Sequence, residues 1–517
     1  MEEMKSLPEK PETPPPVPPF PVTVEQFPTG SRELRFAGVT AVLSVLLANA
    51  LLMGGFHLGF ALAAVGCIAC AAIYLLRSGK KLTGYTGTLL VLSLIVAASF
   101  IRSDDGFVKF VMVCFLLVSV NLGLCLLAGQ NLRGAEGVSS LLDAPRALFS
   151  LGIGKLENAI RGLSTALRQM ETAGKKRGAV LLGLLVAIPV LAILIPLLMS
   201  ADAAFEGLLS KLPAIAWGEV IGSVFLGLIL ACVLYTRGTA LLHSEKPGYV
   251  PRQRKGISSL TLNTVLGAVS LVYAVYLISQ LAYFVGGFAG ILPEGYTMAE
   301  YARRGFFEMA WLCAINLTVM TLAVGLVEKK DGRAPLSTRL MCLFVGLVTL
   351  FFVAAASAKM FLYIGAYGLT RLRVMTEVIM VFLALTTVTV SIWLFLPKLP
   401  YMKVILILAL VMGAATSWAD VDAVVADYNV EAYRSGALQT VDMDYLSCLG
   451  YGAVPSIEKL LDSPDQAVSK QARRLLTEYA NELSRQQDLR AWNISAAIAW
   501  EACKEYAQPE FATDWEP

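Results

Sequence analysis

Charged residues are scarce in this chain. Asp, Glu, Lys and Arg make up 16% of its 517 residues, whereas soluble proteins carry about a quarter. Hydrophobic residues reach 56%, a balance that excludes an ordinary soluble globular protein. The composition therefore predicts a multi-pass membrane protein whose principal partner is the lipid bilayer.

The motifs that carry common enzyme chemistry are also missing. The only two histidines, His57 and His243, are far apart and near no pair of cysteines or carboxylates, so no metal ligand is assigned. The stretch from Gly152 to Lys155 lacks the spacing of a phosphate loop, and there is no Gly-x-Ser-x-Gly elbow. No catalytic residue and no cofactor are assigned, and the sequence favours a non-enzymatic function.

Apolar runs of about 20 residues, long enough to cross a bilayer, recur along the chain and predict an all-α, polytopic membrane bundle. About eleven spans are expected, at 36–54, 57–76, 84–101, 107–128, 178–200, 216–236, 259–285, 308–327, 338–358, 374–396 and 401–419.

Composition divides the chain into five segments. These are a disordered, proline-rich cytoplasmic tail (1–35), N-terminal membrane helices (36–128), a basic amphipathic cytoplasmic linker (129–177), a core membrane domain (178–419) and an acidic helical C-terminal domain (420–517).

The Lys and Arg residues of the loops predict the orientation. With the N-terminus in the cytoplasm, 26 basic residues fall on the inner side and eight on the outer side, as the positive-inside rule requires. The outer ones are Arg102, Lys109, Lys211, Arg303, Arg304, Lys359, Arg371 and Arg373. Eleven spans then place the C-terminus outside the cytoplasm.

The linker contains an amphipathic stretch between Phe149 and Met170, with apolar residues at alternating steps of four and three. Basic residues such as Lys155 and Arg161 fall between them. Such a helix could lie on the anionic inner leaflet or pack on its own bundle, and the sequence leaves both alternatives open.

The C-terminal segment has helical periodicity and an acidic surface. It carries eight basic and seventeen acidic residues, a net charge of −9, which argues against nucleic acid as a partner and leaves a protein partner as the alternative. Its two cysteines, Cys448 and Cys503, are expected to be separate buried thiols rather than a disulfide.

Polar residues gather at the outer ends of the seventh to tenth predicted spans. Glu300, Arg304 and Glu308 follow at intervals of four, a spacing that lets both carboxylates reach the arginine. Arg373 and Glu377 are also four apart, after a turn with Gly368 as helix C-cap and Thr370 as N-cap. The predicted cluster comprises Gln280, Glu300, Tyr301, Arg303, Arg304, Glu308, Lys359, Tyr363, Tyr367, Arg371, Arg373 and Glu377.

The cluster has two interpretations. Its arginines can hold an anionic small molecule or a lipid head group, because guanidinium donors match phosphate and carboxylate. Alternatively, they pair internally with Glu300, Glu308 and Glu377 and lock helices together. An enzyme that uses Glu300 or Glu308 as acid or base has only their position in its favour.

Several of these stretches resemble a known family. Residues 297–309 (TMAEYARRGFFEM), 359–373 (KMFLYIGAYGLTRLR), 200–206 (SADAAFE), 427–433 (DYNVEAY) and 444–446 (DYL) look like hallmark segments of a bacterial multi-pass membrane family catalogued only as a domain of unknown function. The resemblance covers roughly residues 180–500. It implies a bacterial cell-membrane location and no particular activity.

Two functions remain open from the sequence. The first is an anion-binding, transporter-like membrane protein whose site faces the outer side. The alternative is a non-catalytic envelope scaffold or sensor that acts through its C-terminal helices.

Overall fold

The computed structural model describes residues 27–131, 142–172, 217–246, 256–288, 306–330, 333–486 and 488–508, with isolated positions between 183 and 201. Within these ranges the regular structure is helical, apart from two isolated bridges. The prediction of an all-α polytopic bundle is therefore confirmed.

Ten described helices are long and apolar enough to cross a membrane. They are α1 (Ser31–Asn49), α2 (Leu58–Arg77), α3 (Gly84–Ala98), α4 (Gly106–Ala128), α7 (Trp217–His243), α8 (Ser259–Phe288), α9 (Phe306–Leu326), α10 (Leu336–Tyr367), α11 (Arg371–Phe395) and α12 (Tyr401–Trp418). They match ten of the eleven predicted spans; the remaining one, 178–200, lies outside the described residues except for isolated positions.

The described chain also has seven shorter or more polar α-helices, with short 3₁₀ and π-helical segments between helices. Two lie in the linker, α5 (Asp143–Arg146) and α6 (Leu156–Thr172). Five follow the last span: α13 (Val421–Arg434), α14 (Met443–Ser447), α15 (Val454–Glu458), α16 (Gln466–Arg485) and α17 (Ile494–Cys503). The first helix begins at Ser31, inside the predicted tail 1–35.

Close helix packing sets the direction of the chain through the bundle. Helix α7 runs antiparallel to α1, because Gly238 lies against Phe36 and Gly227 against Val45, where an added Cβ would approach within 2.4 and 2.5 Å. Glycine lets these backbones approach each other. Helix α7 therefore begins at the end of the bundle where α1 ends.

The two ends of the bundle are distinct. Gln130, just after α4, donates a hydrogen bond to the carbonyl of Ser244, just after α7, at 2.6 Å, so α4 and α7 end together. The chain therefore leaves α4 at one end of the bundle and enters α7 at the other.

Helices α13 to α17 enclose their own apolar core. Val425, Val430, Ile457 and Leu476 are each fully buried in it. This C-terminal helical domain lies on the end of the bundle opposite Ser31, against the turns after α1, α3 and α10. One direct backbone contact is the hydrogen bond from Leu58 N to Trp492 O, at 3.2 Å.

The amphipathic linker segment divides its apolar residues between two environments. Ala159 and Leu167 of α6 are buried, and α6 packs against α7. Phe149, Ile153 and Ile160 instead leave 44% to 61% of their surface exposed. The segment thus packs on its own bundle with one face and presents apolar side chains on another.

Candidate functional site

The turn between α10 and α11 has the two caps that the sequence indicates. Gly368 ends α10 with φ of +74°, a left-handed conformation that suits glycine. The Thr370 hydroxyl accepts a hydrogen bond from Arg373 N at 3.4 Å and caps α11. The turn therefore places Arg371 and Arg373 in the first turn of α11, at the end of the bundle that carries the C-terminal helices.

Arg373 folds back onto the end of α10. Its Nη1 donates to the carbonyl of Tyr367 at 3.2 Å and to that of Gly368, groups that a helix end leaves without internal partners. Its guanidinium carbon lies 4.1 Å from the centre of the Tyr363 ring, a cation–π contact. Arg373, Tyr363 and Tyr367 thus form one contact group that closes the helix end.

Arg371 joins the bundle to the C-terminal domain. Its Nε lies 2.6 Å from Asp422 Oδ1 and 3.0 Å from Asp105 Oδ2. Both aspartate side chains are almost fully buried, while that of Arg371 is 30% exposed. The arginine backbone N–H also donates to the Tyr445 hydroxyl at 2.8 Å. One residue therefore ties together α4, α11 and α13.

Each aspartate of this interface that caps a helix uses its second oxygen for an arginine. Asp105 caps α4 through Oδ1, which accepts a hydrogen bond from Phe107 N at 2.8 Å. Its Oδ2 forms an ion pair with Arg371. Asp420 caps α13 through Oδ1 and lies 3.5 Å from Arg102 through Oδ2. A carboxylate at a helix N-terminus is already favoured by the helix dipole, so the caps pre-position the charges.

A third pair lies where the C-terminal domain meets the end of α1. Asp488 accepts from the backbone and side chain of Arg490, and this hydrogen bonding lowers the pKa of Asp488. Arg490 Nη1 then donates to Asn49 Oδ1 at 2.9 Å. Gly54 allows this approach, since a Cβ there would lie 2.7 Å from the Cβ of Arg490.

His57 lies in a compact polar group at the same interface. Its Nδ1 is 2.9 Å from Lys109 Nζ and 3.4 Å from Asn493 Nδ2, and its Nε2 is 3.3 Å from Asp104. Burial, and then the positive charge of Lys109, lower the pKa of His57 to about 4, against the opposing pull of Asp104. The imidazole is therefore neutral near pH 7 and accepts a hydrogen bond from Lys109.

Burial shifts the pKa of Asp422 in the opposite direction, above its ordinary value. Desolvation raises its pKa to about 6, although the hydrogen bond from Arg371 works against this shift. Asp105 and Asp420 add to the increase, since like charges disfavour ionisation. The interface thus holds three aspartates close together, and Arg371 and Arg102 supply the compensating charge.

The other members of the predicted cluster are more scattered. Glu308 is exposed in the first turn of α9, and Lys359 is half-buried within α10. Glu377 borders a cavity of about 400 Å³ that Arg373 also lines, and its Oε1 is buried without a hydrogen-bond partner among the described residues. Glu300, Tyr301, Arg303, Arg304 and the side chain of Gln280 lie outside the described residues.

The residues that the sequence reasoning missed share one signal: they are acidic or polar residues at span ends. Asp104 and Asp105 directly precede α4, and Asp420 and Asp422 directly follow α12. The charge bias between the two sides points only to the basic residues of these span ends, and sequence spacing tests histidine only as a metal ligand. In the described part of the chain, no group of three or more His, Cys, Asp or Glu side chains could hold a metal ion.

The two cysteines of the C-terminal domain are unpaired thiols. Cys503 is buried, and burial raises the pKa of its thiol to about 12. Cys448 is exposed, so the expectation that both thiols are buried is wrong for Cys448. It lies next to the ion-pair interface, where its carbonyl accepts from Arg371 Nη2 at 3.5 Å.

Comparison with known families matches the sequence profile of a domain of unknown function, DUF4153, to residues 37–460. No curated protein and no solved structure matches the chain. The matched region runs from α1 into the C-terminal helices and contains Arg371, Asp105 and Asp422, so the ion-pair interface lies inside the family's domain. The chain, a multi-pass membrane protein by its ten candidate spans, is a member of the DUF4153 family.

Proposed function

We propose that the protein is a non-catalytic membrane scaffold or sensor that presents its acidic C-terminal helices, docked on the bundle, to a partner protein. The observation that carries this proposal is Arg371, which holds Asp105 of the bundle and Asp422 of the C-terminal domain together. A domain held only by its covalent connection to the last span would need no such buried ion pairs.

The surroundings of Arg371 favour docking over capture of a soluble anion. Two almost fully buried carboxylates lie within 3.0 Å of its Nε, and an incoming anion would meet their negative charge at close range. Arg373 is engaged with backbone carbonyls of α10. A buried ion pair gives little net stability compared with apolar packing, but it specifies one arrangement of its partners.

The partner that fits this domain is a protein with a basic surface. The C-terminal segment has a net charge of −9, and complementary charge steers association and selects partners. We propose further that this domain lies outside the cytoplasm of a bacterial cell. The excess of Lys and Arg at the opposite end of the bundle supports this orientation.

A photo-crosslinking amino acid at Tyr428 tests the scaffold proposal. Tyr428 lies on α13 and is 41% exposed, and Leu271 of α8, which is 67% exposed on a span, provides a matched control. We expect the Tyr428 position to give one discrete adduct in cells. Glu431→Lys should weaken it by reversing a nearby charge, and Arg371→Gln should remove it by undocking the domain. An adduct that is absent, or unchanged in both variants, would reject the proposal.

A second candidate, an anion-binding transporter-like protein, is favoured by the cavity beside α11. Arg373 and Glu377 line this cavity of about 400 Å³, and ionisable residues within a span often mark a substrate path. Under this second candidate, cluster residues outside the described ranges, such as Arg303 and Arg304, are also predicted to contact the anion.

Binding of inorganic phosphate or a small dicarboxylate by the purified protein tests this second candidate. Arg373→Gln should weaken anion binding at least tenfold in addition to any loss of stability from its contacts with the end of α10, whereas Lys398→Gln, beyond the other end of α11, should have no effect on binding. A loss of stability in Arg373→Gln without a change in anion binding would exclude this function.

A further inference from the structure

A long apolar cavity lies among α1, α2, α4 and α7, away from the ion-pair interface. Its volume is about 340 Å³. It extends from Phe36 of α1 to Leu51, in the π-helical segment Ala50–Gly54 that continues α1, a distance of about 22 Å at about 1.5 Å per helical residue. Phe60, Ile68 and Leu116 are among the side chains that line it. Its shape and surface fit an extended hydrocarbon chain.

One end of this cavity contains a buried arginine. Arg237 lines the cavity and is only 7% exposed. Its Nη2 donates to the carbonyl of Val120 at 3.4 Å, and its Nε has no hydrogen-bond partner. The described residues show no carboxylate in an ion pair with it. A buried cation within a span without a counter-charge is strongly unfavourable.

Two further polar groups point to the same need for a partner. Asn121 and Thr40 also line the cavity and are almost fully buried. The Oδ1 of Asn121 and the Oγ1 of Thr40 lack hydrogen-bond partners in the described structure. Both lie at the Arg237 end, because Asn121 follows Val120 on α4 and Thr40 is one turn from Phe36, which packs against Gly238. Buried polar groups are normally paired.

The cavity also reaches the outside of the bundle. Leu117 of α4 lines it and is 49% exposed, and Phe56, near its other end, is 36% exposed. Leu117 lies in the middle of a span, where the surrounding medium is lipid. A hydrophobic molecule can therefore enter from the bilayer without crossing water.

We propose that this cavity binds an anionic amphiphile from the membrane, with its hydrocarbon chain along α1 and its carboxylate or phosphate head at Arg237. The head would neutralise the guanidinium, and its oxygens can accept hydrogen bonds from Nε of Arg237 and from the Thr40 hydroxyl. Oδ1 of Asn121 is an acceptor and would pair only with a hydroxyl of the head. The chain would fill the apolar part of the cavity. This proposal does not depend on the function of the C-terminal domain.

Paired ligands test the proposal on the full-length protein in nanodiscs of zwitterionic lipid. Oleate and oleyl alcohol have the same chain and differ in the charge of the head. We expect oleate to bind at least tenfold more tightly than oleyl alcohol, with a corresponding rise in thermal stability. Lysophosphatidate in a parallel titration distinguishes the source, since tighter binding than oleate indicates a phosphate head and weaker binding a carboxylate head.

Two variants separate the head from the chain. Arg237→Gln should reduce the difference between oleate and oleyl alcohol to less than threefold, and Ala71→Phe, which fills the cavity, should abolish binding of both. Leu271→Phe, on an exposed surface of α8 outside the cavity, should change neither. Should Arg237→Gln fail to fold, the charge comparison in the wild type and the Ala71→Phe variant still decide the matter. Equal binding of oleate and oleyl alcohol to the wild type, or unchanged binding in Ala71→Phe, would overturn the proposal.

Discussion

Arg371 Nε and Asp422 Oδ1 lie 2.6 Å apart across the boundary between the membrane bundle and the C-terminal domain. Arg371 is the first residue of α11 and Asp422 the second residue of α13. Since Asp105 at the start of α4 shares the same guanidinium, the contact fixes three helix starts relative to one another. The C-terminal helices are therefore docked by specific charges as well as joined by the chain.

Replacing Arg371 with glutamine should destabilise the docked protein by about 3–5 kcal/mol, because it leaves buried carboxylates without their counter-charge. Asp422→Asn in the same background should restore part of the loss. The matched control is Arg434→Gln, since Arg434 and Glu431 form an exposed pair worth about 0–1 kcal/mol. Thermal unfolding in detergent measures both changes. Similar losses in the two single variants would contradict the assigned role of Arg371.

Gly54 should be required for the segment around Arg490 to pack against the end of the bundle. An alanine Cβ there would lie 2.8 Å from the backbone carbonyl oxygen of Arg490, so Gly54→Ala must displace this segment at a cost of about 1–3 kcal/mol. Gly38 of α1 has no heavy atom within 4 Å of an added Cβ, and Gly38→Ala should be neutral or slightly stabilising. Limited proteolysis should cleave the C-terminal domain faster in Gly54→Ala than in the wild type, and at the wild-type rate in Gly38→Ala.

His57 should make docking of the C-terminal domain sensitive to acid. Its pKa is about 4 in the fold, below about 6.5 in an unfolded chain, so protonation favours the undocked state. Stability should fall as pH decreases from about 6.5 to about 4, by about 1.4 kcal/mol for each unit of pKa difference. Burial and the charge of Lys109 lower the pKa of His57, and Asp104 opposes them; Asn493 also faces the ring.

His57→Gln isolates the contribution of the histidine. The raised pKa of Asp422 acts in the opposite direction over about pH 4 to 6, because the folded state then binds more protons than the unfolded chain. Wild type should therefore lose more stability on acidification than His57→Gln, as measured by thermal unfolding between pH 7 and pH 4. Parallel curves for the two proteins would contradict a neutral, buried His57.

The elements that the sequence predicts well are those that local patterns determine. Apolar length locates the described spans, as at 374–396 against the observed Arg371–Phe395. The caps Gly368 and Thr370 follow from the conformations that these residues favour. Both signals act within a few residues, so neither requires knowledge of how helices pack.

The partners of Arg371 could not be predicted in this way. Spacing along one helix draws attention to Glu377, four residues after Arg373, but it carries no information about Asp105 or Asp422. Those contacts depend on how the C-terminal domain sits on the bundle, which is decided by packing such as that of Gly54 against Arg490. The same holds for His57, whose neighbours Lys109 and Asn493 come from distant parts of the chain.

Cys448 offers a direct measurement of which side of the membrane the C-terminal domain occupies. It is exposed in that domain, whereas Cys503 is buried. The other exposed cysteines, Cys114 and Cys232, lie within spans α4 and α7, where water-soluble reagents do not reach. A membrane-impermeant maleimide should therefore label intact cells at Cys448, and Cys448→Ser should remove the label. Labelling that appears only after the cells are permeabilised would place the domain in the cytoplasm and reverse the proposed orientation.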